Sequence, residues 1–442
     1  MKKNAKKYQR QNDGRRWQRL LDDAVTLTKN CVYGNETNNQ RGFRFVERRP
    51  IENKYVVFSD HHYLPRNNRH SIFTRFGNRG IYMHALHRYA EREYTLVEAG
   101  DVEDLVVFEP TLDEAMYRAG LSWDLLRLAR LERRRDQLRT ILLENSRLYN
   151  LINDEFKVHD RYVKLAGNHD LDLQEDSLLR IFPDEFNMEI HDFLALHRTT
   201  NRGRFIMPAQ VAVAHGHQFD FVCHPQHMTE LGETYTEVVG WAFQGCDRYW
   251  RWNDGPAQWI ENKPFRNVLA SGKTRPNEGI TDAVLEILQD GHEIAWEYFE
   301  NPNVNKAFSR EFITGEEMFK FRHLSETDLR NKLSKQFPNR VNSGEFYLVL
   351  GHTHEPRLNP VDPKKNIDRR TGLQITYPYI VNCGTAGRFQ NLVWALEIDH
   401  GNMRIVAWHR PGNRRNATPL RMEFVPRRDM LVATTTRPVP DN

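Results

Sequence analysis

The chain has 442 residues, and its 63 lysines and arginines nearly balance its 59 aspartates and glutamates, which leaves a formal net charge of +4. This length allows one large domain with insertions or two domains, and the charge balance excludes a global field for nucleic acid or membranes. Four scattered cysteines without CxxC spacing exclude a disulfide framework and a zinc–thiolate site. No apolar run approaches the roughly 20 residues of a membrane span, so we expect a cytoplasmic protein, with peripheral membrane contact left open.

The N-terminal region, residues 1–50, is polar and basic, and apolar residues at helical spacing predict one docked helix in it. A buried strand is predicted at residues 55–58, and Asp60, His61 and His62 follow it. Side chains alternate along an extended chain, so we expect Asp60 and His62 on one side and His61 elsewhere. Because α/β folds gather functional side chains at the carboxyl ends of strands, Asp60 and His62 are candidate metal ligands.

Four later segments repeat this design, with an apolar strand followed directly by metal-binding residue types. The strands are predicted at residues 94–99, 162–166, 210–214 and 346–350. Their ends carry Asp101, then Asn168, His169 and Asp170, then His215, and finally His352 and His354. A helix over residues 81–90 joins the first two strands into a right-handed βαβ unit with parallel strands. Three β-like segments at 379–383, 391–398 and 403–409 complete the expected core.

These segments divide the chain into five regions. Residues 1–50 form a basic extension, and residues 51–220 form the first part of the core, with a helical insertion at 112–157. Residues 221–345 are predicted to be a mainly helical inserted cap, because structureless loops of that length are rare inside compact domains. Residues 346–410 complete the core. The tail, residues 411–442, is rich in Pro, Arg and Thr and is expected to be loose.

The five strand ends supply carboxylates, imidazoles and one amide, without a thiolate. Such hard and borderline ligands suit Mn, Fe, Zn, Co or Ni better than copper(I) or an iron–sulfur cluster. Because the carboxyl ends of strands in an open sheet converge on one edge, residues far apart in sequence can share one site. Seven or more donors exceed the coordination of one ion, so we predict two divalent ions, about 3.5–4 Å apart, that share a bridging carboxylate.

The order Asp-x-His, Gly-Asp, Gly-Asn-His-Asp, His and Gly-His-x-His resembles the calcineurin-like metallophosphoesterase family. Residues 100–104, Gly-Asp-Val-Glu-Asp, are similar to the family's fuller Gly-Asp-x-x-Asp form. Residues 382–385, Asn-Cys-Gly-Thr, resemble the turn that often follows the last block. The resemblance implies a two-sheet α/β/α sandwich with a mainly helical inserted cap, in which all the proposed ligands lie within one small volume.

The resemblance also implies roles for the matching residues. Asp60, His62 and His354 would hold the first metal, Asn168, His215 and His352 would hold the second, and Asp101 would bridge them. His169 would lie just outside the metals and protonate the leaving alkoxide or stabilise charge on the phosphoryl group, while Asp170 would orient its ring. Manganese is the expected metal, and attack on phosphorus would come from a metal-bound hydroxide.

The leading hypothesis is a metal-dependent phosphoric ester hydrolase that cleaves a phosphodiester or pyrophosphate bond in a phosphorylated small molecule or nucleotide-like substrate. The insertion would select the substrate, and the candidate substrate-binding residues are Arg248, Arg251, Arg357 and Arg388. The blocks around the insertion are similar to those of UDP-2,3-diacylglucosamine hydrolases, although His217 and the longer insertion depart from that pattern. The alternatives are a nuclease acting on DNA or RNA, whose binding would weaken steeply with salt, and a catalytically silent scaffold.

Overall fold

Two mixed β-sheets form the frame of the protein. The computed structural model describes residues 46–68, 71–75, 77–107, 123–174, 176–186, 188–207, 209–219, 346–352, 356–358, 379–387, 391–410, 417–427 and 430–437, together with residues 26 and 354. The strands in chain order are β1 Val46–Pro50, β2 Lys54–Phe58, β3 Thr95–Ala99, β4 Tyr162–Leu165, β5 Ile190–His191, β6 Phe193–His197, β7 Val211–Val213, β8 Tyr347–Leu350, β9 Arg357–Leu358, β10 Tyr379–Asn382, β11 Leu392–Asp399, β12 Asn402–His409, β13 Leu420–Arg427 and β14 Met430–Arg437.

The described helices are few, and in the chain they fall between the strands of the larger sheet. They are α1 Ile72–Arg75, α2 Asn78–Ala90, α3 Trp123–Glu144, α4 Ser146–Glu155 and α5 Asp176–Leu179. Short 3₁₀ turns occur at Lys157–His159, Leu171–Gln174, Asp184–Phe186 and His217–Phe219. Within the described ranges, none of the helices combines the length and the apolar character that crossing a membrane requires.

The larger sheet has eight strands in the order β14-β13-β12-β11-β2-β3-β4-β5. Strands β2 to β5 are parallel neighbours, which requires crossover connections such as the one that contains α2. Strands β11 to β14 form an antiparallel meander beside β2. The smaller sheet has the order β1-β6-β7-β8-β10-β9, and β7, β8 and β10 are parallel neighbours in it.

Alternation of side chains along the central strands separates two apolar cores. On β2, Tyr55 and Val57 belong to a core that also contains Val349 and other residues of the smaller sheet. Val56 and Phe58 point to the opposite side, where the core includes buried residues of α2 and α4. The two sheets therefore pack face to face, and the helices cover the outer face of the larger sheet.

A buried ionic network crosses the helix-covered side of β3 and β4. Lys164 pairs with Glu98 across the strands, and its Nζ lies 2.6 Å from Glu103 Oε2 and 3.7 Å from Glu98 Oε2. Three tyrosine hydroxyls donate to the same carboxylates, Tyr82 and Tyr162 to Glu98 and Tyr149 to Glu103. Each of the three charged side chains is at most 1 % exposed. The apolar pattern of these segments predicts buried strands but not the network.

Most of the predicted elements are present. The five strands that precede the candidate ligands are confirmed as β2, β3, β4, β7 and β8, and the closing segments as β10, β11 and β12. The mixed α/β character with two sheets is also confirmed, whereas a helical layer on the smaller sheet stays a prediction. The expectation of a loose tail is wrong for β13 and β14, which extend the larger sheet. The predicted N-terminal helix, apart from residue 26, and the predicted cap at 221–345 fall outside the described residues.

Candidate metal centre

The strand ends that carry the predicted ligands meet at one end of the two packed sheets. Three of these strands belong to the larger sheet and two to the smaller one, so the convergence involves two sheets rather than the single edge expected from the sequence. Backbone hydrogen bonds join the loops: Asp60 N donates to Gly100 O at 3.1 Å, and Gly351 N donates to His215 O at 2.8 Å. His352 N also donates to Asp60 Oδ2 at 3.0 Å. The packing of the sheets thus brings distant segments to one place.

The first group of candidate ligands consists of Asp60, His62 and His354. His354 Nε2 lies 3.0 Å from Asp60 Oδ1 and 3.3 Å from His62 Nε2. One donor atom from each residue fits within a cluster no wider than 4.8 Å. This is the set that the resemblance implies for the first metal, although His354 lies almost 300 positions from the other two residues.

The second group consists of Asp101, His215 and His352, with Asn168 beside it. His215 Nε2 lies 3.2 Å from Asp101 Oδ2 and 3.2 Å from Asn168 Oδ1. Donor atoms of Asp101, His215 and His352 lie within 4.8 Å of one another. All seven residues predicted to hold metals are therefore gathered in one small volume.

Asp101 lies between the two groups. Its Oδ2 is 3.2 Å from His215 Nε2 in the second group and 3.9 Å from His62 Nε2 in the first. The other oxygen, Oδ1, accepts a hydrogen bond of 2.8 Å from the backbone N–H of His169, which fixes the orientation of the carboxylate. Asp101 consequently has the placement that a carboxylate shared by two ions needs.

The hydrogen bonds of the histidine rings leave lone pairs pointing at one another. His215 Nδ1 lies 2.9 Å from Ala99 O, which can only accept, so Nδ1 carries the proton and Nε2 is an acceptor in the neutral ring. His62 Nδ1 similarly donates to Asp104 Oδ2 at 2.8 Å. Each Nε2 then faces carboxylate oxygens that are also acceptors. Asp60 Oδ1 is buried, and His354 Nε2 faces it at 3.0 Å. A cation between these atoms would satisfy all of them, so the donor set fits a metal ion.

The electrostatics of the group favour positive charge at the same place. Burial opposes protonation of His215, but the Asp101 and Asp60 carboxylates outweigh burial and raise the His215 pKa to about 9. Burial alone would raise the pKa of Asp60, yet His354 and His215 hold it well below its usual range. The same balance, mainly with His215, lowers the pKa of Asp101. The carboxylates remain charged, and they attract a proton or a metal ion to the rings.

The backbone at the candidate ligands adopts an uncommon conformation. The φ angles lie between 49° and 64° at five positions: Asp60, His62, Asp101, His352 and His354. Residues other than glycine rarely adopt such left-handed angles, and strained backbones of this kind cluster at functional sites. The sequence correctly placed Asp60 and His62 together, but its reason, an extended chain beyond β2, is wrong because both residues are left-handed.

Two glycines are required by the close approach of the loops. A Cβ atom at Gly167 would collide with the Asp101 carboxylate and its backbone nitrogen. A Cβ atom at Gly351 would collide with the Ser59 hydroxyl and with Asp60 Oδ2. The Gly-Asn-His-Asp and Gly-His-x-His patterns therefore begin with glycine because the neighbouring loop occupies the space of a side chain.

Asp104 is the residue that holds His169, in place of the expected Asp170. His169 Nδ1 lies 3.0 Å from Asp104 Oδ1, and His62 Nδ1 lies 2.8 Å from Asp104 Oδ2. Two backbone N–H groups, of Val106 and Val107, also donate to Asp104 Oδ1. Asp104 thus receives donors on both oxygens and orients two rings, and donor atoms of His62, Asp104 and His169 also lie within 4.8 Å of one another. The last position of the Gly-Asp-x-x-Asp pattern was the available signal for it.

Asp170 instead holds the backbone beside the site. Its carboxylate accepts hydrogen bonds from Gly167 N at 2.5 Å and from Val102 N at 2.8 Å. These bonds tie the loop after β4 to the loop after β3, which carries Asp101. The expectation that Asp170 orients the His169 ring is therefore wrong, because the ring nitrogen within hydrogen-bonding distance of a carboxylate faces Asp104.

The remaining histidines next to the predicted ligands are buried, and one of the four candidate substrate-binding arginines lies in the described part of the chain. His61 is fully buried among aromatic rings, 4.7 Å from the Tyr82 ring and 5.2 Å from the Tyr63 ring. His217 is buried with its ring 5.4 Å from that of His215. Arg357 begins β9 and pairs with β10, whereas Arg248, Arg251 and Arg388 lie outside the described residues.

Adding Mn²⁺ to the chelator-treated protein is expected to raise its melting temperature. A ligand that binds only the folded protein adds about 2.7 kcal/mol at a concentration 100 times its Kd. Differential scanning calorimetry measures the shift, which His354→Ala should largely abolish. The exposed His400, at 65 % side-chain exposure, offers the matched control His400→Ala, which should keep the shift. Equal melting temperatures with and without metal would contradict metal binding.

The described residues thus contain groups of aspartate and histidine side chains that could hold a metal ion. Their donors, their burial and the arrangement of their acceptor atoms agree with such a site. Relatives of known function offer no independent assignment. No family model matches the chain, and no curated protein is significantly similar to it.

Proposed function

We propose that the protein is a metal-dependent phosphoesterase of the calcineurin-like type, which hydrolyses a phosphodiester or pyrophosphate bond. The observation that carries this proposal is the position of Asp101 between two groups of imidazole and carboxylate donors. A carboxylate so placed suits a two-ion centre, and phosphoryl transfer is the chemistry to which such centres are well matched. The order of the strand-end motifs along the chain supports the same family.

Two divalent ions are proposed for the site. Asp60, His62 and His354 would hold the first, and Asn168, His215 and His352 would hold the second, with Asp101 common to both. When bound, the ions would lower the pKa of water and neutralise charge on the phosphoryl oxygens. The ligand types favour manganese, with iron, zinc, cobalt and nickel as alternatives.

His169 is the proposed proton donor to the leaving group. Burial opposes protonation of this ring, but Asp104 and Asp101 outweigh burial and raise the His169 pKa to about 10 in the metal-free protein. The Nδ1 atom faces Asp104, so the opposite nitrogen, Nε2, is the atom available to a substrate. A ring that is held by one carboxylate and protonated can donate to a departing oxygen without itself binding metal.

His169→Ala is expected to keep the metal content and to lower kcat by about 10²–10⁴, the range typical of a lost general acid. Metal analysis by mass spectrometry and turnover on an aryl phosphodiester test both parts. His159→Ala, at an exposed position after α4, is the control and should leave both values unchanged. Loss of metal from His169→Ala would show that this ring is a ligand.

Hydrolysis of bis-p-nitrophenyl phosphate and p-nitrophenyl phosphate tests the proposed activity. The Mn²⁺-loaded protein should release p-nitrophenol from at least one of these esters, and a chelator should abolish the release. Absence of metal-dependent release from both esters and from pyrophosphate would overturn the proposal. Cleavage of single-stranded DNA or RNA in the same assay would favour the nuclease alternative. Selection of the substrate by residues 221–345 stays a prediction.

A further inference from the structure

We propose that a cavity lined by four arginines, separate from the aspartate and histidine groups, binds a small molecule carrying two or more phosphate groups. The cavity has a volume of about 630 Å³ and lies between the start of α2 and the junction of α3 and α4. The four arginines that line it are Arg66, Arg79, Arg147 and Arg410. This cavity is called the arginine cavity below. None of the predicted metal ligands lines it.

The positive charge of the four arginines is not balanced by acidic side chains among the residues that line the arginine cavity. Glu144 is the acidic residue among those that line it, and its Oε2 accepts from the backbone N–H of Arg66 at 2.7 Å. Arg79 Nη1 donates to two neutral oxygens, Glu144 O at 2.9 Å and Asn145 Oδ1 at 3.1 Å. Among the described residues, no carboxylate forms an ion pair with any of the four guanidinium groups. An anionic ligand would supply the missing charge.

Repulsion between the cations is apparent at Arg79. Burial and the nearby Arg66 lower the pKa of Arg79, and Arg147 acts in the same direction, which outweighs the opposing effects of Tyr63 and Glu144. Guanidinium groups are gathered at this cost when a ligand with delocalised negative charge binds among them, because each fork matches a phosphate bidentately. The shape of the cavity and the positive charge of its lining thus both favour a phosphate-bearing ligand.

The start of α2 adds further attraction for an anion. The 13-residue helix begins at Asn78, has no acidic residue in its first turn and receives no side-chain cap at Gly77. Arg410 lies over this end, since a Cβ atom at Gly77 would be 3.2 Å from Arg410 Nη1. Two buried polar atoms of the lining, Thr74 Oγ1 and Arg410 Nε, have no hydrogen-bond partner among the described residues. Phosphate oxygens would accept from both atoms and from the helix end.

The shape of the cavity favours a small ligand over a nucleic-acid backbone. A volume of about 630 Å³ falls within the 300–1,000 Å³ that is usual for small-molecule sites.

Hydrogen bonds also link the arginine cavity to the loops that carry the candidate metal ligands. Asn78 Nδ2, in the first turn of α2, donates to Ala386 O at 2.8 Å, and Gly387 N donates to Asp60 O at 2.9 Å.

Calorimetric titration of the full-length, chelator-treated protein with methylenediphosphonate, a non-hydrolysable bisphosphonate, tests the proposal. We expect saturable binding of one molecule per chain, weakened by added salt because the contacts are ionic. Arg66→Gln combined with Arg147→Gln changes two exposed members of the cavity and should weaken binding at least tenfold. Arg139→Gln, a 59 % exposed arginine of α3 that does not line the cavity, is the matched control. Melting temperatures near that of the wild type would show that the variants are folded.

Asp101→Asn separates this inference from the proposed activity. Binding of the bisphosphonate should persist in Asp101→Asn, and in the absence of metal, because neither contributes to the arginine cavity. Equal affinity in the wild type and the double arginine variant, or no binding up to millimolar concentration, would overturn the proposal. So would binding that is lost in Asp101→Asn alone. A short single-stranded oligonucleotide that binds through these arginines when the bisphosphonate does not would replace the small molecule with nucleic acid.

Discussion

Replacing Asp101 with asparagine is expected to remove most of the phosphoesterase activity and to reduce the number of metal ions bound per chain. Asp101 Oδ2 faces both His215 and His62, so this oxygen is the one that both groups can share. An amide carries no net charge and cannot neutralise two dications. The loss of several kcal/mol of charge stabilisation corresponds to a decrease in kcat/KM of about 100-fold or more.

The measurement has two parts, metal content per chain and turnover of an aryl phosphodiester. Asp160→Asn is a suitable control, because Asp160 is 81 % exposed and its carboxylate pairs with Arg49 just before β4, at the opposite end of that strand from Asn168. It should retain metal and activity. An Asp101→Asn protein that kept two ions and near-normal turnover would show that this carboxylate does not bridge.

The sequence located the candidate site well because each ligand follows a strongly apolar strand. Such strands are buried, so the polar residues directly after them reach the end of the sheet, whatever lies between the strands in sequence. This argument does not depend on backbone angles, and it succeeded at Asp60 and His62 even though the chain is not extended there. It could not identify Asp104, whose role depends on which ring nitrogens it meets across the loop.

The fold was predictable where apolar runs are long and was not for strands at or next to the sheet edges. β1 contains Glu47, Arg48 and Arg49, and all five of its residues are partly exposed, so it lacks an apolar signal. β13 alternates apolar and polar residues, but the Pro- and Arg-rich composition around it suggested a loose segment. Its assignment depends on pairing with β12, and on the contact of Arg421 with the buried Glu397 of β11. Such contacts between distant residues leave no local pattern.

Charged residues inside buried strands were equally difficult to interpret. Glu98 is the fourth residue of β3, all five of whose residues are buried, and Lys164 lies in β4. A lone charge in such a strand is costly, and each becomes tolerable only because the other and Glu103 are near. The network also connects the fold to the site, since Glu103 lies two residues after Asp101.

Lys164→Met is expected to destabilise the protein strongly, by about 3–5 kcal/mol, because it leaves Glu98 and Glu103 buried without their cation. Burial already raises the pKa of Glu98, and Lys164 is the main group that opposes this rise. A carboxylate whose pKa is raised by folding disfavours the folded state above that pKa and ceases to do so when it is protonated. The destabilisation should therefore be larger at pH 8 than at pH 5.

Urea unfolding at both pH values measures the effect. Lys54→Met is the control, because the half-buried Lys54 donates to a backbone oxygen, Arg92 O at 3.3 Å, lies 5.9 Å from the Tyr94 ring and forms no ion pair with a described carboxylate, so its loss should cost less than about 1 kcal/mol. The double variant Lys164→Met with Glu103→Gln removes one of the two unpaired carboxylates and should recover part of the lost stability. If Lys164→Met unfolds at the wild-type urea concentration at both pH values, the three charges do not depend on one another, and the packing of β3 against β4 must be maintained by the apolar core alone.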